Sequence, residues 1–391
     1  MSMLYYNALI FQGEKGFIKG GFSVSDGKIR EIIPEISSAA LSETSSAAFP
    51  EFASRTDLED MYVIPGLVDI HTHGNSGCDF SDADEEGLVR MGKYLAAHGI
   101  TSFAPTSMTL PYDRLRCAFQ TAARYAGEHP GDAARMAGIH MEGPYFSGKK
   151  KGAQNSAYLK LPDVEGFMDL QRECGGLIRI VDVAPELDGA EDFIRKVAAV
   201  CRVSVAHTDA GYDKARRGFE AGATHLTHLF NAMPPIHHRS PGVIGAASER
   251  EDVTAELICD GLHVHPSVVR MAFRLFPGRI CLISDALRCC GMPDGRYELG
   301  GQMVTLKDGQ ARISDGNLAG AVSNLYTDMV NAIRFGIPKE EAIRAATIIP
   351  AKETGTEAEI GSLNAGKWAD FLVCDGEWNL KQVYLGGERI S

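Results

Sequence analysis

Apolar residues are spaced in two textures along this chain. Between 63 and 350, short apolar runs alternate with stretches whose apolar positions recur every three to four residues. The runs are VIPGLVDI (63–70), ITSFAPT (100–106), RMAGIHM (135–141), LIRIVDVA (177–184), CRVSVA (201–206), ATHLT (223–227), TAELICD (254–260) and RICLISD (279–285). Each reads as a buried strand, and the intervening stretches read as helices. In DEEGLVRMGKYLAAHG (84–99), for example, Leu88, Met91 and Leu95 share one face and Gly99 closes the end. Strands alternating with helices imply a parallel sheet with helices outside it, and eight such units predict an α/β fold of the closed (β/α)8 barrel type. Outside the barrel, 1–62 and 351–391 carry short β-like runs such as LYYNALIF and ADFLVCDG, separated by Gly and Asp. The two ends are expected to pair into one small β domain, because chain termini tend to lie close together. The Ser-, Ala- and acid-rich stretch at 37–60 is expected to be an exposed loop.

Composition narrows the function classes. A net charge of −12 over 391 residues argues against a nucleic-acid partner, which needs a basic face. It leaves room for a small anionic ligand held by a local cluster of donors. No stretch approaches the roughly 18 apolar residues a membrane helix needs. Nine cysteines, an odd number without zinc-finger or CxxC spacing, suit a reducing compartment, and the chain is expected to be cytoplasmic.

The candidate chemistry sits at the downstream ends of the apolar runs, where a parallel barrel gathers its loops on one rim. VDIHTHG places His71 and His73 on one strand face, since side chains alternate with period two. Glu142 closes the third run before a Gly-Pro turn, His207 and His228 follow the fifth and sixth, and Asp285 ends the eighth. Two histidines and a carboxylate make a common donor set for zinc or iron that leaves room for water. Asp285 alone reads as a helix N-cap; beside such a set it becomes a candidate acid/base. His263 is placed to stabilise a developing negative charge, and Asn231, Ala232 and Arg239 to fix a polar, anionic ligand. His140, His225 and His265 read as structural or loop residues, and His98 and His129 as solvated.

Taken together, PGLVDIHTHG, HMEGPYF with KGAQN, AHTDAGY, THLFNAMPP with RSPG, DGLHV, ISDALRCCGMPDG and NLAG resemble the amidohydrolase superfamily, and within it the N-acetylglucosamine-6-phosphate deacetylases. The resemblance spans the chain. It implies a barrel of 63–350 and a small β-sandwich built from 1–62 and 351–391. It implies hydrolysis of a phosphorylated amino sugar's acetamide, in a homodimer, with one or two divalent metal ions, zinc or iron. By resemblance Glu142, His207 and His228 hold the first metal and Asp285 is the acid/base. His71 and His73 come into play if there is a second metal. Substrate contacts carried over in the same way are Gly143, Ala153, Gln154, Asn231, Ala232, Arg239, His263 and the Leu318–Ala319–Gly320 backbone, with Arg239 reaching across the dimer. Gln154 departs from the family, which often has His there. The fourth run offers no lysine at its end to bridge two metals, so Glu142 must serve. Other readings are action on N-acetylgalactosamine 6-phosphate, action on a different N-acyl compound, or a non-catalytic assembly protein on the same scaffold.

Overall fold

The computed structural model describes residues 2–36, 52–128, 131–314 and 316–391. Four strands open the chain: β1 (Ser2–Phe11), β2 (Phe17–Ser25), β3 (Lys28–Pro34) and β4 (Ser54–Pro65). Eight more follow in alternation with helices: β5 (Leu67–Thr72), β6 (Ile100–Ser107), β7 (Ile139–Tyr145), β8 (Ile178–Val183), β9 (Arg202–Val205), β10 (His225–Leu226), β11 (Thr254–Ile258) and β12 (Ile280–Ile283). A three-stranded antiparallel sheet comes next, β13 (Gly295–Leu299), β14 (Gln302–Lys307) and β15 (Gln310–Ile313). The chain closes on β16 (Phe371–Cys374), β17 (Leu380–Leu385) and β18 (Glu388–Arg389).

Strands β5 to β12 pair side by side in parallel, in chain order. The ring closes where Thr72 bridges Ala286 and the His73 N–H donates to the Ala286 carbonyl at 2.9 Å. This is the expected barrel. Its strands are buried on both faces, which is why they read as continuous apolar runs. The outer helices follow the periodicity: Glu85–Ala97 buries Leu88, Met91 and Leu95.

The run at 63–70 serves two sheets. Val63–Pro65 ends β4, whose partners are β1 and β16, and the barrel begins only at Leu67. Gly66 links them where the chain passes close to the next strand; a Cβ there would fall 2.0 Å from Thr101 Oγ1. The part of the expected loop at 54–60 is strand, because it finds a parallel partner in β1 from Met3–Ser54 onward; 37–51 lies outside the described residues.

Both chain ends do share a sheet, of seven strands in the order β18-β17-β16-β4-β1-β2-β3. The rings of Phe22 on β2 and Phe371 on β16 lie 5.0 Å apart although β1 and β4 separate their strands, so the sheet curls over its own concave face. Tyr5, Phe22, Phe371 and Tyr384 pack there, with Phe371 and Tyr384 stacked at 4.2 Å.

Candidate active site

Each residue picked out at a strand end reaches one rim of the barrel, though by different backbone routes. His71 lies within β5 and Glu142 within β7, which runs on through Gly143 and Pro144 to Tyr145 rather than ending at the carboxylate. His207, His228 and Asp285 each stand two residues beyond their strand, with φ of 43°, 31° and 49°. A left-handed backbone costs a non-glycine residue on the order of 1 kcal/mol, and three such turns at one rim are strain stored where chemistry is done. They redirect the side chains from the strand direction toward the barrel axis.

The donor atoms converge. Glu142 Oε1 lies 3.1 Å from His207 Nε2 and 3.2 Å from His228 Nε2, and those two nitrogens are 3.1 Å apart. Opposite them, His73 Nε2 is 3.3 Å from Asp285 Oδ1 and 3.4 Å from Glu142 Oε2. The imidazole tautomers are set from behind. His207 Nδ1 donates to the Lys150 carbonyl at 2.9 Å, His73 Nδ1 to the Thr106 carbonyl at 3.1 Å, and His71 Nδ1 to Glu256 at 2.9 Å. Their Nε2 atoms therefore present lone pairs inward. His71 Nε2 is buried without a hydrogen bond, its nearest carboxylate oxygens 3.5 Å and 3.6 Å away. Lone pairs and carboxylate oxygens crowded this closely repel one another unless a cation lies among them, so the donor set fits a metal ion. Two groups have that fit at the rim, Glu142 with His207 and His228, and His71 with His73 and Asp285. Burial raises the Glu142 and Asp285 carboxyls, but protons on the surrounding imidazoles, standing where an ion's charge would otherwise be, outweigh it and hold both below the ordinary carboxylate range.

A cavity of about 170 Å³ opens over these groups. Of the residues expected from the sequence, His73, Glu142, Ala153, Gln154, His207, Asn231, Ala232, His228, His263, Asp285, Leu318, Ala319 and Gly320 line it. His71 lies deeper, fully buried. Gly143 does not reach the cavity wall, and Arg239 sits on the exposed 234–240 turn with its Nη1 against His238 Nε2 at 2.7 Å. His140 and His225 are interior residues, as expected, while His98 is half-buried against the Tyr94 carbonyl; His129 lies outside the described residues.

Two side chains do more than was expected of them. Gln154 is buried, accepts the Thr109 N–H at 2.7 Å, and so must turn its amide N–H toward Glu142 Oε2. His263 has Nδ1 2.7 Å from Asp260 and Nε2 2.9 Å from the Ala319 carbonyl. Burial disfavours its charged form, yet the Asp260 hydrogen bond and charge prevail and lift its pKa to about 9. The ring is thus a cation that pins the Leu318–Gly320 wall.

The sequence reading passed over Met108, Gly152, Leu287 and Leu299 in the lining, and Glu256, Asp260 and Asp182 behind it. Glu256 and Asp182 were visible in principle, as carboxylates inside the apolar runs TAELICD and LIRIVDVA. Strands β13 to β15 were visible too. Gly300–Gly301 and Asp308–Gly309 are two-residue hairpin turns with positive φ throughout, and they connect alternating segments. This small sheet puts Leu299 over the cavity, and its Gln302 donates to the Ala153 carbonyl.

The model of the amidohydrolase family matches residues 62–390. The N-acetylglucosamine-6-phosphate deacetylase of Vibrio furnissii is 36% identical over 84% of this chain and 82% of its own length. The N-acetylgalactosamine-6-phosphate deacetylase of Escherichia coli O157:H7 is 32% identical over 88% of this chain and 92% of its own. Among solved structures, a mutant N-acetyl-D-glucosamine-6-phosphate deacetylase from Mycobacterium smegmatis, in complex with N-acetyl-D-glucosamine-6-phosphate, superposes with a TM-score of 0.89 at 29% identity, covering 100% of this chain and 99% of that one.

Proposed function

The chain belongs to the amidohydrolase family, and from that premise we propose that it hydrolyses the acetamide of N-acetylglucosamine 6-phosphate to glucosamine 6-phosphate and acetate. The observation that carries this reading is the convergence of Glu142, His207 and His228 beside Asp285 at the floor of one cavity. Glu142, His207 and His228 would hold a divalent ion, zinc or iron by the softness of the donors, and His71, His73 and Asp285 a second where one is present. When bound, such an ion supplies Lewis acidity and a nucleophile usable at neutral pH.

The chain's own groups then divide the work. The Asp285 carboxylate takes a proton from the attacking water and returns it to the departing amine, which cannot leave as an anion. Gln154 keeps Glu142 Oε2 turned away from His207 and His228, so that Oε1 faces them. His263 was expected to face the reacting carbonyl. Both of its nitrogens are already engaged, so it serves by fixing the Ala319 segment against the sugar and by lending positive charge to the wall. Asn231 and Ala232 offer polar contacts along the same wall.

Arg239 stands outside its own cavity on an exposed turn, which suits a homodimer in which it meets the phosphate bound to the other copy. No helix among the described residues is long and apolar enough to cross a membrane, and all nine cysteines are free, which suits the cytoplasm. N-acetylgalactosamine 6-phosphate is the second reading, favoured by the 32% identity to the Escherichia coli enzyme named for it.

Acetate release from both sugar phosphates and from unphosphorylated N-acetylglucosamine, with metal content measured in parallel, tests the proposal. Turnover is expected on N-acetylglucosamine 6-phosphate, with a large loss when the phosphate is removed. No acetate from either phosphosugar by metal-replete protein would overturn it.

A further inference from the structure

Beneath the cavity the barrel interior holds a column of alternating charge that neither donor group at the rim includes in full. Arg202 Nε lies 3.0 Å from Glu353 Oε2, which is also 2.7 Å from His225 Nδ1. His225 Nε2 donates to Glu256 Oε1 at 3.0 Å. Glu256 Oε2 then accepts from His71 Nδ1 at 2.9 Å and from the His228 backbone N–H at 3.2 Å. Arg202 opens β9 and Glu353 ends the helix Ile348–Glu353, so the column starts at the mouth opposite the cavity and ends on the candidate ligands. His225, Glu256 and His71 are wholly buried.

We propose that Glu256 is a positioning residue for the metal-ligating histidines, and that His225 and Glu353 hold it in place. This rests on the metal reading given above. Glu256 touches neither substrate nor the reacting atoms; it acts on His71 and His228. One of its oxygens fixes the tautomer of His71, from the first barrel strand, and the backbone of His228, beyond the sixth. A carboxylate behind an imidazole orients the ring and makes its other nitrogen a better ligand. A lone buried carboxylate would be unstable, and His225 supplies the countercharge, itself held between Glu256 and Glu353. With three hydrogen bonds made from two sides, Glu256 has no freedom to rotate. His140 is not a rival ligand, since its ring nitrogens already face Asp182 at 2.9 Å and the Ile70 carbonyl at 3.0 Å.

The test titrates metal-free wild type, Glu256→Gln and Glu353→Gln with cobalt(II) and zinc against a competing chelator, and measures KM and kcat at limiting and saturating metal. Gln keeps the shape of Glu but sets an amide donor against a donor. Glu256→Gln is expected to weaken metal affinity about 10–100-fold, to alter the cobalt(II) visible spectrum, and to recover kcat at saturating metal with KM unchanged. Glu353→Gln, one link further away, is expected to lose affinity several-fold in the same direction. A folded Glu256→Gln with wild-type affinity and spectrum would overturn the inference. If that variant does not fold, wild-type affinity in Glu353→Gln overturns it and weakened affinity supports it. Wild type that takes up no divalent ion overturns the metal reading itself, whereas equal uptake by wild type and Glu256→Gln overturns only the role of Glu256.

Discussion

The interior of the barrel and the concave face of the curled sheet are both buried, yet only the first carries a layer of charged side chains. The sheet packs Tyr5, Phe22, Phe371 and Tyr384 edge to face and face to face around aliphatic side chains such as Val24 and Ile29. Across it the Tyr5 hydroxyl donates to the Gly387 carbonyl. A barrel interior is ordinarily filled with layers of branched aliphatic residues. Here it contains Asp69, His140, Asp182, His225 and Glu256, all at 0% exposure, with Ser204 and Thr227 bonded between them at 2.6 Å. Buried ion pairs give little net stability compared with well-packed apolar groups. The apolar packing of the sheet, like that between the barrel strands and their outer helices, stabilises the chain, whereas the polar layer inside the barrel adds little and holds a site in shape.

Four substitutions or conditions bear on that contrast. Asp285→Asn, at the barrel mouth, is expected to lower kcat on the order of 10²–10⁴-fold while leaving the ion on Glu142, His207 and His228 and the melting curve intact; near-normal turnover would sink its assignment as the proton carrier. Phe371→Ala, in the sheet core, is expected to cost about 3–5 kcal/mol of stability with kcat per folded molecule unchanged. Loss of turnover without loss of stability in that variant would erase the contrast. Gln154→Ala frees Glu142 Oε2 and is expected to weaken metal affinity about tenfold with KM little changed, as read by chelator competition. The last effect is read in stability rather than in activity or metal binding. His263 has a folded pKa raised from 6.5 to about 9, so its stabilisation is fully present below about pH 6.5 and is lost as the pH climbs through about 9. Unfolding free energies at pH 6.5 and 9 should show a gap between wild type and His263→Gln that shrinks by on the order of 2 kcal/mol at the higher pH. A gap independent of pH would mean that the ring is not the cation inferred from its two acceptors.

How much of this was legible in the sequence depended on whether a residue's role was local. Eight strand-like runs are enough to predict a barrel, because burial on both faces leaves an apolar signature. His71, Glu142, His207, His228 and Asp285 stood out because barrel topology makes every strand end a neighbour of every other. Where the strands divide between two sheets did not stand out. Val63–Ile70 is one apolar run, and only the steric demand at Gly66 separates its halves. Ser54–Asp60 reads as a polar loop, and its strand character comes from β1, which is remote in sequence. His263 was given a substrate role because its partners, Asp260 and the Ala319 carbonyl, are visible only in space. Glu256 went unnoticed for the same reason: its partners come from 71, 225 and 228.

Strand β4 leads straight into the first barrel strand, yet one of its two neighbours is β16, near the far end of the chain. During synthesis the N-terminal strands emerge early but have no complete sheet to join, and contacts so distant in sequence are slow to form. Tyr5 and Gly387 meet only when nearly all of the chain is available. The sheet is therefore completed last: a chain cut short before 371 would leave the edge of β4 unpaired beside the barrel's first strand. The strand that such a chain would leave as an open edge is the one that, in the finished molecule, sits at the middle of the sheet.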